Sequence, residues 1–338
     1  MAIDNRLAQL KDWLNIILET DQYEVTVASA DASFRRYFRI SHNGQTMIAM
    51  DAPPDKGEDC APFVSIAKQL FSTGIHAPEI LAEDLERGFL LLSDLGDVQY
   101  LSVLNSESAD SLYKDAIDSL IKFQAISTNN LPTYNRELLQ TEMNLFPDWF
   151  IKQHLAVNLN DKQQHILNSV LECLTESALQ QPQVFVHRDY HSRNLMHTPH
   201  SNPGVIDFQD AVNGAVTYDL ASLLKDCYIS WPREKIEQWL SYYFNQAKKN
   251  NILDQKIMFQ DFVQWFDLMS VQRHLKVLGI FTRLNFRDNK PSYMKDLPLT
   301  FQYVVDSCER YPLLQPLKLL LQDLNIAETM NIQWKKLP

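Results

Sequence analysis

Apolar residues recur at Ile3, Leu7, Leu10, Leu14, Ile17 and Leu18, a spacing of three and four that predicts an amphipathic helix at the start of the chain. Near Tyr23 the period changes. Tyr23, Val25 and Val27 alternate with polar residues and, after a run of small side chains, Phe34 to Ile40 complete a hairpin pattern. A third strand is expected at residues 46–50, followed by the proline-broken loop DAPPDKGED, a helix over 61–73 stopped by Gly74, and strands near 79–83 and 89–92. From Ser108 onward the period is helical, with Leu112, Ala116, Leu120 and Ile121 on one face. Long amphipathic stretches follow at 136–156 and 161–178, a strand-rich island at 183–209, and helices again at 232–249, 257–281 and 296–308. The pattern predicts an α+β chain in two parts: residues 1–95, a leading helix and an antiparallel sheet with one helix, and residues 96–338, mainly helical.

Composition narrows the classes without changing that outline. The 338 residues are 45% hydrophobic and 22% charged, enough to bury a core. A formal charge of −11 has the wrong sign for nucleic acid or an anionic membrane surface, so neither partner is expected. Cys60, Cys173, Cys227 and Cys308 are far apart and form no CxxC pair, which suits a reducing cytoplasm. No run approaches 18 apolar residues, so no membrane span is expected.

The island carries the chemistry. It reads VFVHRDYHSRNLM (184–196), then GVIDFQDAV (204–212), then TYDLASLLKD (217–226). A carboxylate on a loop after an apolar strand can take the proton of a hydroxyl attacking a phosphoryl group, and Asp189 is placed for that role. Asn194 and Asp207 supply the neutral and charged oxygens that suit Mg²⁺, which completes its shell with water and phosphate. The four-residue spacing of His187 and His191 aligns ligands only on a helix, and the strand-then-loop pattern with no HExxH argues against a metal hydrolase. His187 reads as a structural residue.

The order His187-x-Asp189-x4-Asn194 followed by Ile206-Asp207-Phe208 matches the kinase catalytic loop and metal aspartate. With TYDLASLL downstream, these residues resemble the aminoglycoside-phosphotransferase and choline-kinase-like superfamily. DASFRRYFRI (31–40), MDAPPDKGEDCAPFV (50–64) and QRHLKVLGIFTRL (272–284) are further similar to bacterial kinases that phosphorylate N-acetylated amino sugars at the anomeric carbon in cell-wall recycling. The resemblance implies a protein-kinase-like bilobal fold and ATP-dependent transfer to the anomeric hydroxyl of N-acetylmuramate or N-acetylglucosamine, with Asp189 as base and Asn194 and Asp207 on Mg²⁺. It implies a structural role for Asp219, and Asp210 stands between a metal contact and a loop brace.

Two departures mark the nucleotide side. Where protein kinases carry GxGxxG, this chain has ASADASFRR (28–36), so Ser29, Ser33, Arg35 and Arg36 are the candidate phosphate donors. The third strand has Met50 where the phosphate-pairing lysine belongs, leaving an arginine of the hairpin or Lys56, oriented by Glu58 or Asp59. Leu92 and Asp94, in FLLLSDL (89–95), are candidates for the adenine side. His191, Arg193, Trp231, Arg273 and His274 are candidates for the acceptor. Alternatives are another hydroxyl acceptor, aminoglycoside or choline-like, and a non-catalytic nucleotide-binding regulator.

Overall fold

A computed structural model describes residues 4–30 and 34–330, and the chain divides into two compact units. The first holds residues 1–103 and 194–210, and the second holds 104–193 and 211–338. The chain thus leaves the second unit between Arg193 and Asn194 and returns between Asp210 and Ala211.

In the first unit, α1 (Asn5–Ile17) starts where the Asp4 side chain accepts the Leu7 N–H at 3.0 Å. Its Leu10, Trp13 and Leu14 face one side of a five-stranded sheet, where they meet Phe38, Ile40, Ala49, Phe89 and Leu91. The strands are β1 (Glu24–Ala30), β2 (Arg36–His42), β3 (Gln45–Asp51), β4 (Ile80–Asp84) and β5 (Phe89–Ser93), in the order β1-β2-β3-β5-β4, every neighbour antiparallel. A 3₁₀ turn (Pro54–Lys56) and α2 (Ala61–Ser72) lie between β3 and β4, and α3 (Tyr100–Val103) follows β5.

The sequence pattern ends this part at residue 95. The structure extends it to Val103 and adds the hairpin of β7 (Leu195–Met196) and β8 (Gly204–Val205). Hydrogen bonding explains the difference: Val205 N–H donates to His76 O at 2.8 Å, His197 N–H to Val98 O at 2.7 Å, and Asn202 to the Tyr100 hydroxyl at 2.7 Å. Phe208 stacks on Phe63 of α2 at 4.7 Å. Such long-range pairings leave no local periodicity to read.

The second unit is helical around one short ribbon. Its helices are α4 (Ala109–Gln124), α5 (Arg136–Met143), α6 (Asp161–Leu179), α7 (Tyr218–Leu224), α8 (Arg233–Lys249), α9 (Phe259–Asp288), α10 (Leu297–Arg310), α11 (Gln315–Asp323) and α12 (Ile326–Thr329). β6 (Gln183–Val186) pairs antiparallel with β9 (Val212–Ala215). The amphipathic stretch expected at 136–156 divides, with α5 followed by a π-helical segment, Phe146–His154, that carries Pro147 in its first turn. Gly279 of α9 makes that arrangement possible, because a Cβ there would stand 2.3 Å from the Leu145 carbonyl carbon. Phe146, Phe150, Val271, Leu275, Leu278 and Phe301 belong to the resulting core.

Candidate active site

The loop after β6 is built from buried hydrogen bonds. Asp219, in the first turn of α7 and wholly buried, accepts the N–H groups of His187 at 2.7 Å and Arg188 at 3.0 Å. Burial drives its carboxyl up to about 6, against the pull of His187 and of those two donors. Arg188 is left-handed, φ +77°, a conformation that costs a non-glycine residue about 1–2 kcal/mol, and the Asp219 brace offsets it. The His187 ring is buried, lies edge-on to Phe123 and Tyr190, and accepts the Asp189 N–H at 3.2 Å, so it shapes the loop. Further along, buried Asp226 accepts the Ser192 N–H at 3.0 Å and the Ser192 hydroxyl at 2.5 Å.

These braces turn Asp189 into an open pocket. The carboxylate keeps 47% of its side-chain exposure. Around it are His191, Tyr218, Cys227 and Tyr228, and one face of α9: Arg273, Lys276, Val277, Ile280 and Phe281. Desolvation opposes the charge on Asp189, but Lys276, His191 and Arg273 prevail and hold it down at about 2. Lys276 is anchored, donating to Glu142 at 2.9 Å and to the Tyr218 hydroxyl at 3.0 Å. Glu142 also receives Arg188 and the Tyr134 hydroxyl, so a buried polar network ties α5, the Asp189 loop and α9 together. Burial lowers the proton affinity of His191 and leaves its Nδ1 without a hydrogen-bond partner.

The other half of the motif lies in the first unit. Asp207 is left-handed, φ +66°, and its carboxylate accepts from the Asn194 amide at 3.2 Å and from Gln209 at 2.8 Å. An amide turned to present its oxygen would put two hard oxygen donors side by side, a set that fits Mg²⁺ with water and phosphate completing the shell. In the same unit Arg35 donates to Glu58 at 2.7 Å, both side chains nearly buried, while Glu58 also receives the Phe34 N–H at 3.2 Å. Asp210 is near enough to act on the Arg35 charge.

Several sequence candidates are committed elsewhere. Arg36 is held by Asp4 and by wholly buried Asp51, which also receives Arg6, so it fastens α1 to the sheet and is withdrawn from phosphate. Asp94 receives Arg39 at 2.6 Å and the Gly96 N–H at 2.9 Å, so both of its oxygens are engaged in bracing the turn. Leu92 is buried in β5, paired with Ile48 and Ile80. Lys56 is exposed in the 3₁₀ turn. Ser33 lies outside the described residues, as does the side chain of Ser29.

On the acceptor side, Trp231 donates to the Tyr113 hydroxyl at 2.7 Å and packs edge-on to Tyr113 and Trp239, outside the pocket lining. His274 is buried against Tyr303 at 4.8 Å with Nε2 at 2.9 Å from the Lys225 carbonyl, also off the pocket. Arg193 lies over the Tyr228 ring at 3.6 Å. Arg273 and His191 do line the pocket. The sequence reading passed over Lys276, Glu142, Asp226 and Tyr228. A signal existed for Lys276, since positions three, four and seven after Arg273 share its helix face while His274 does not.

The fold and the motif define a kinase-like phosphotransferase. The chain belongs to the phosphotransferase enzyme family, whose signature matches residues 24–253. It is 47% identical over 333 residues to the N-acetylmuramate/N-acetylglucosamine kinase of Pseudomonas putida, covering 95% of this chain and 97% of that protein. The kinase of the same name from Pseudomonas aeruginosa is 46% identical over 335 residues, covering 96% and 98%. In structure the chain is similar to an ADP-bound aminoglycoside phosphotransferase at a TM-score of 0.59 and 15% identity, covering 88% of this chain and 97% of that one.

Proposed function

We propose that this enzyme transfers the γ-phosphoryl group of ATP to the anomeric hydroxyl of N-acetylmuramate and N-acetylglucosamine, giving the sugar 1-phosphate, in the cytoplasm where ATP is supplied. The observation that carries this reading is the charge of the pocket around Asp189. Both Arg273 and Lys276 are buried there, Lys276 already paired with Glu142, so it is Arg273 that favours a neutral or carboxylated acceptor over a cationic one such as choline or an aminoglycoside. Net charge alone, −11, points the other way. The local field decides, because buried charges act at short range in low dielectric.

Asp189 accepts the proton of the attacking hydroxyl. The oxygen forms its bond to the γ-phosphorus as the bond to the β-bridging oxygen breaks, and that oxygen leaves on ADP with the electron pair. A carboxylate held near 2 is a weak base. An anomeric hydroxyl is more acidic than an ordinary alcohol, which narrows the gap, so a modest base suffices and positioning supplies most of the rate. Asn194 and Asp207 would hold Mg²⁺, which would supply positive charge to neutralise the phosphate oxygens. Arg35, steadied by Glu58, takes the part of the lysine missing from β3, where buried Met50 stands. That intact set speaks against a non-catalytic regulator.

Incubation with ATP and a panel of N-acetylmuramate, N-acetylglucosamine, choline and kanamycin tests the reading. Phosphate on the anomeric oxygen of the first two alone is expected; product only from a cationic acceptor, or none, overturns it. Asp189→Asn is expected to lower kcat by at least ~10³-fold with nucleotide binding kept.

A further inference from the structure

Arg273 is the least satisfied charge in the acceptor pocket. Its residue is 3% exposed, so water does not serve it. Nε has no hydrogen-bond partner, Nη1 meets only the Cys227 sulfur at 3.7 Å, and Nη2 lies 3.9 Å from Asp189 Oδ1, beyond hydrogen-bond length. A thiol is a weak acceptor, so most of the guanidinium fork points at nothing the protein provides. Lys276 differs, because Glu142 and Tyr218 already receive its protons. A buried donor without an acceptor is destabilising, and a ligand oxygen placed there recovers that free energy on binding.

We infer that Arg273 donates to the acyl oxygen of the substituent beside the reacting hydroxyl, so that the pocket selects 2-acylamino sugars over sugars with a 2-hydroxyl or a free 2-amino group. This rests on the amino-sugar reading above. The argument is one of reach. A hydroxyl bonded to Asp189 sits about 2.6–3.2 Å from the carboxylate, and Arg273 Nη2 stands 3.9 Å from that same carboxylate, within reach of a group on the neighbouring carbon. N-acetylmuramate and N-acetylglucosamine differ at the lactyl ether and share the acetamido group. A cation that cannot swing out to solvent needs a strong acceptor in both, and among the oxygens they share the amide carbonyl is a stronger acceptor than the ring oxygen or the hydroxyls. A free ammonium in that place would face Arg273 and Lys276 together.

The test is kcat/KM for wild type, Arg273→Gln and Arg273→Lys on N-acetylglucosamine, glucose and glucosamine, with thermal melts as the folding control. Wild type is expected to prefer N-acetylglucosamine. Arg273→Gln lowers its kcat/KM about 10–100-fold more than that of glucose, and Arg273→Lys restores part of the preference. An equal loss on N-acetylglucosamine and glucose, leaving their ratio unchanged, overturns the inference and marks Arg273 as structural. Should Arg273→Gln fail to fold, wild type decides with the 2-thioacetamido analogue. A sulfur acceptor lowers kcat/KM by about tenfold if the acyl oxygen is read, and an unchanged value overturns the inference. Wild type inactive on every amino sugar overturns the functional reading as well, which separates the two failures.

Discussion

Arg35 and Arg36 are neighbours with opposite fates. Arg36 is spent on Asp4 and Asp51, whereas Arg35 meets Glu58 in a pair that resembles the lysine–glutamate pair of kinases with its cation moved from β3 to the start of β2. Replacing Arg35 by Met is expected to raise KM for ATP at least about tenfold and to lower kcat. Glu58→Gln, which frees the cation to wander, has a smaller effect in the same direction. Steady-state kinetics at varied ATP with sugar saturating reads both, and unchanged KM for ATP in Arg35→Met removes Arg35 from the phosphate role. The residues of the catalytic loop were legible in the sequence, since spacing along one loop is local. Which of two adjacent arginines is withdrawn was not, because Asp51 is recognisable as a partner only once α1 lies across the sheet. Glu142 escaped for the same reason, being joined to Lys276 across more than a hundred positions.

At the level of elements, period marked eight of the twelve α-helices among the described residues, including α9, one face of which is a pocket wall, and passed over the short α3, α7, α11 and α12. It failed where packing overrides period. Residues 136–156 read as one amphipathic run, yet Pro147 sits at the start of a π-helical segment that makes room for α9. Gly279 is the closest point, with the Leu145 carbonyl carbon 2.3 Å and oxygen 2.5 Å from where a Cβ would be. Backbone cannot yield as a flexible side chain can. Gly279→Ala is therefore expected to destabilise by about 1–3 kcal/mol or more, despite alanine's better helix propensity, and to lower the melting temperature by several degrees. A melt equal to or above wild type means the two segments are looser than drawn.

Across the whole molecule, carboxylates shifted from their ordinary range, buried Asp219 and half-exposed Asp189, give stability a dependence on pH. Asp219, raised to about 6, binds a proton in the folded chain over a range where the unfolded chain has released it. Its contribution favours the fold below the ordinary carboxylate range near 4 and is lost as pH rises through 6. Asp189, held near 2, runs the other way: its contribution is present above the ordinary range and lost as pH falls towards 2. Denaturant unfolding of wild type and Asp219→Asn between pH 4 and 7 checks the first sign. The stability of wild type relative to the variant is expected to decline across that interval, and a difference that does not change with pH, or that rises, contradicts it. Turnover is not expected to lose its base anywhere in the same range.

The first unit's split at residues 103 and 194 also bears on how the chain is made. Emerging from the ribosome, the five-stranded sheet is complete by Ser93, but the hairpin that pairs with His76 and Val98 is not synthesised until about a hundred residues later. At about 5–20 residues per second that is a wait of roughly 5–20 s. During it Phe63 lacks the ring of Phe208, and those backbone groups stay bonded to water. A fragment stopped at Val103 is held permanently in that waiting state, so the first unit can finish folding only once residue 210 has been made, more than a hundred residues after its sheet is complete.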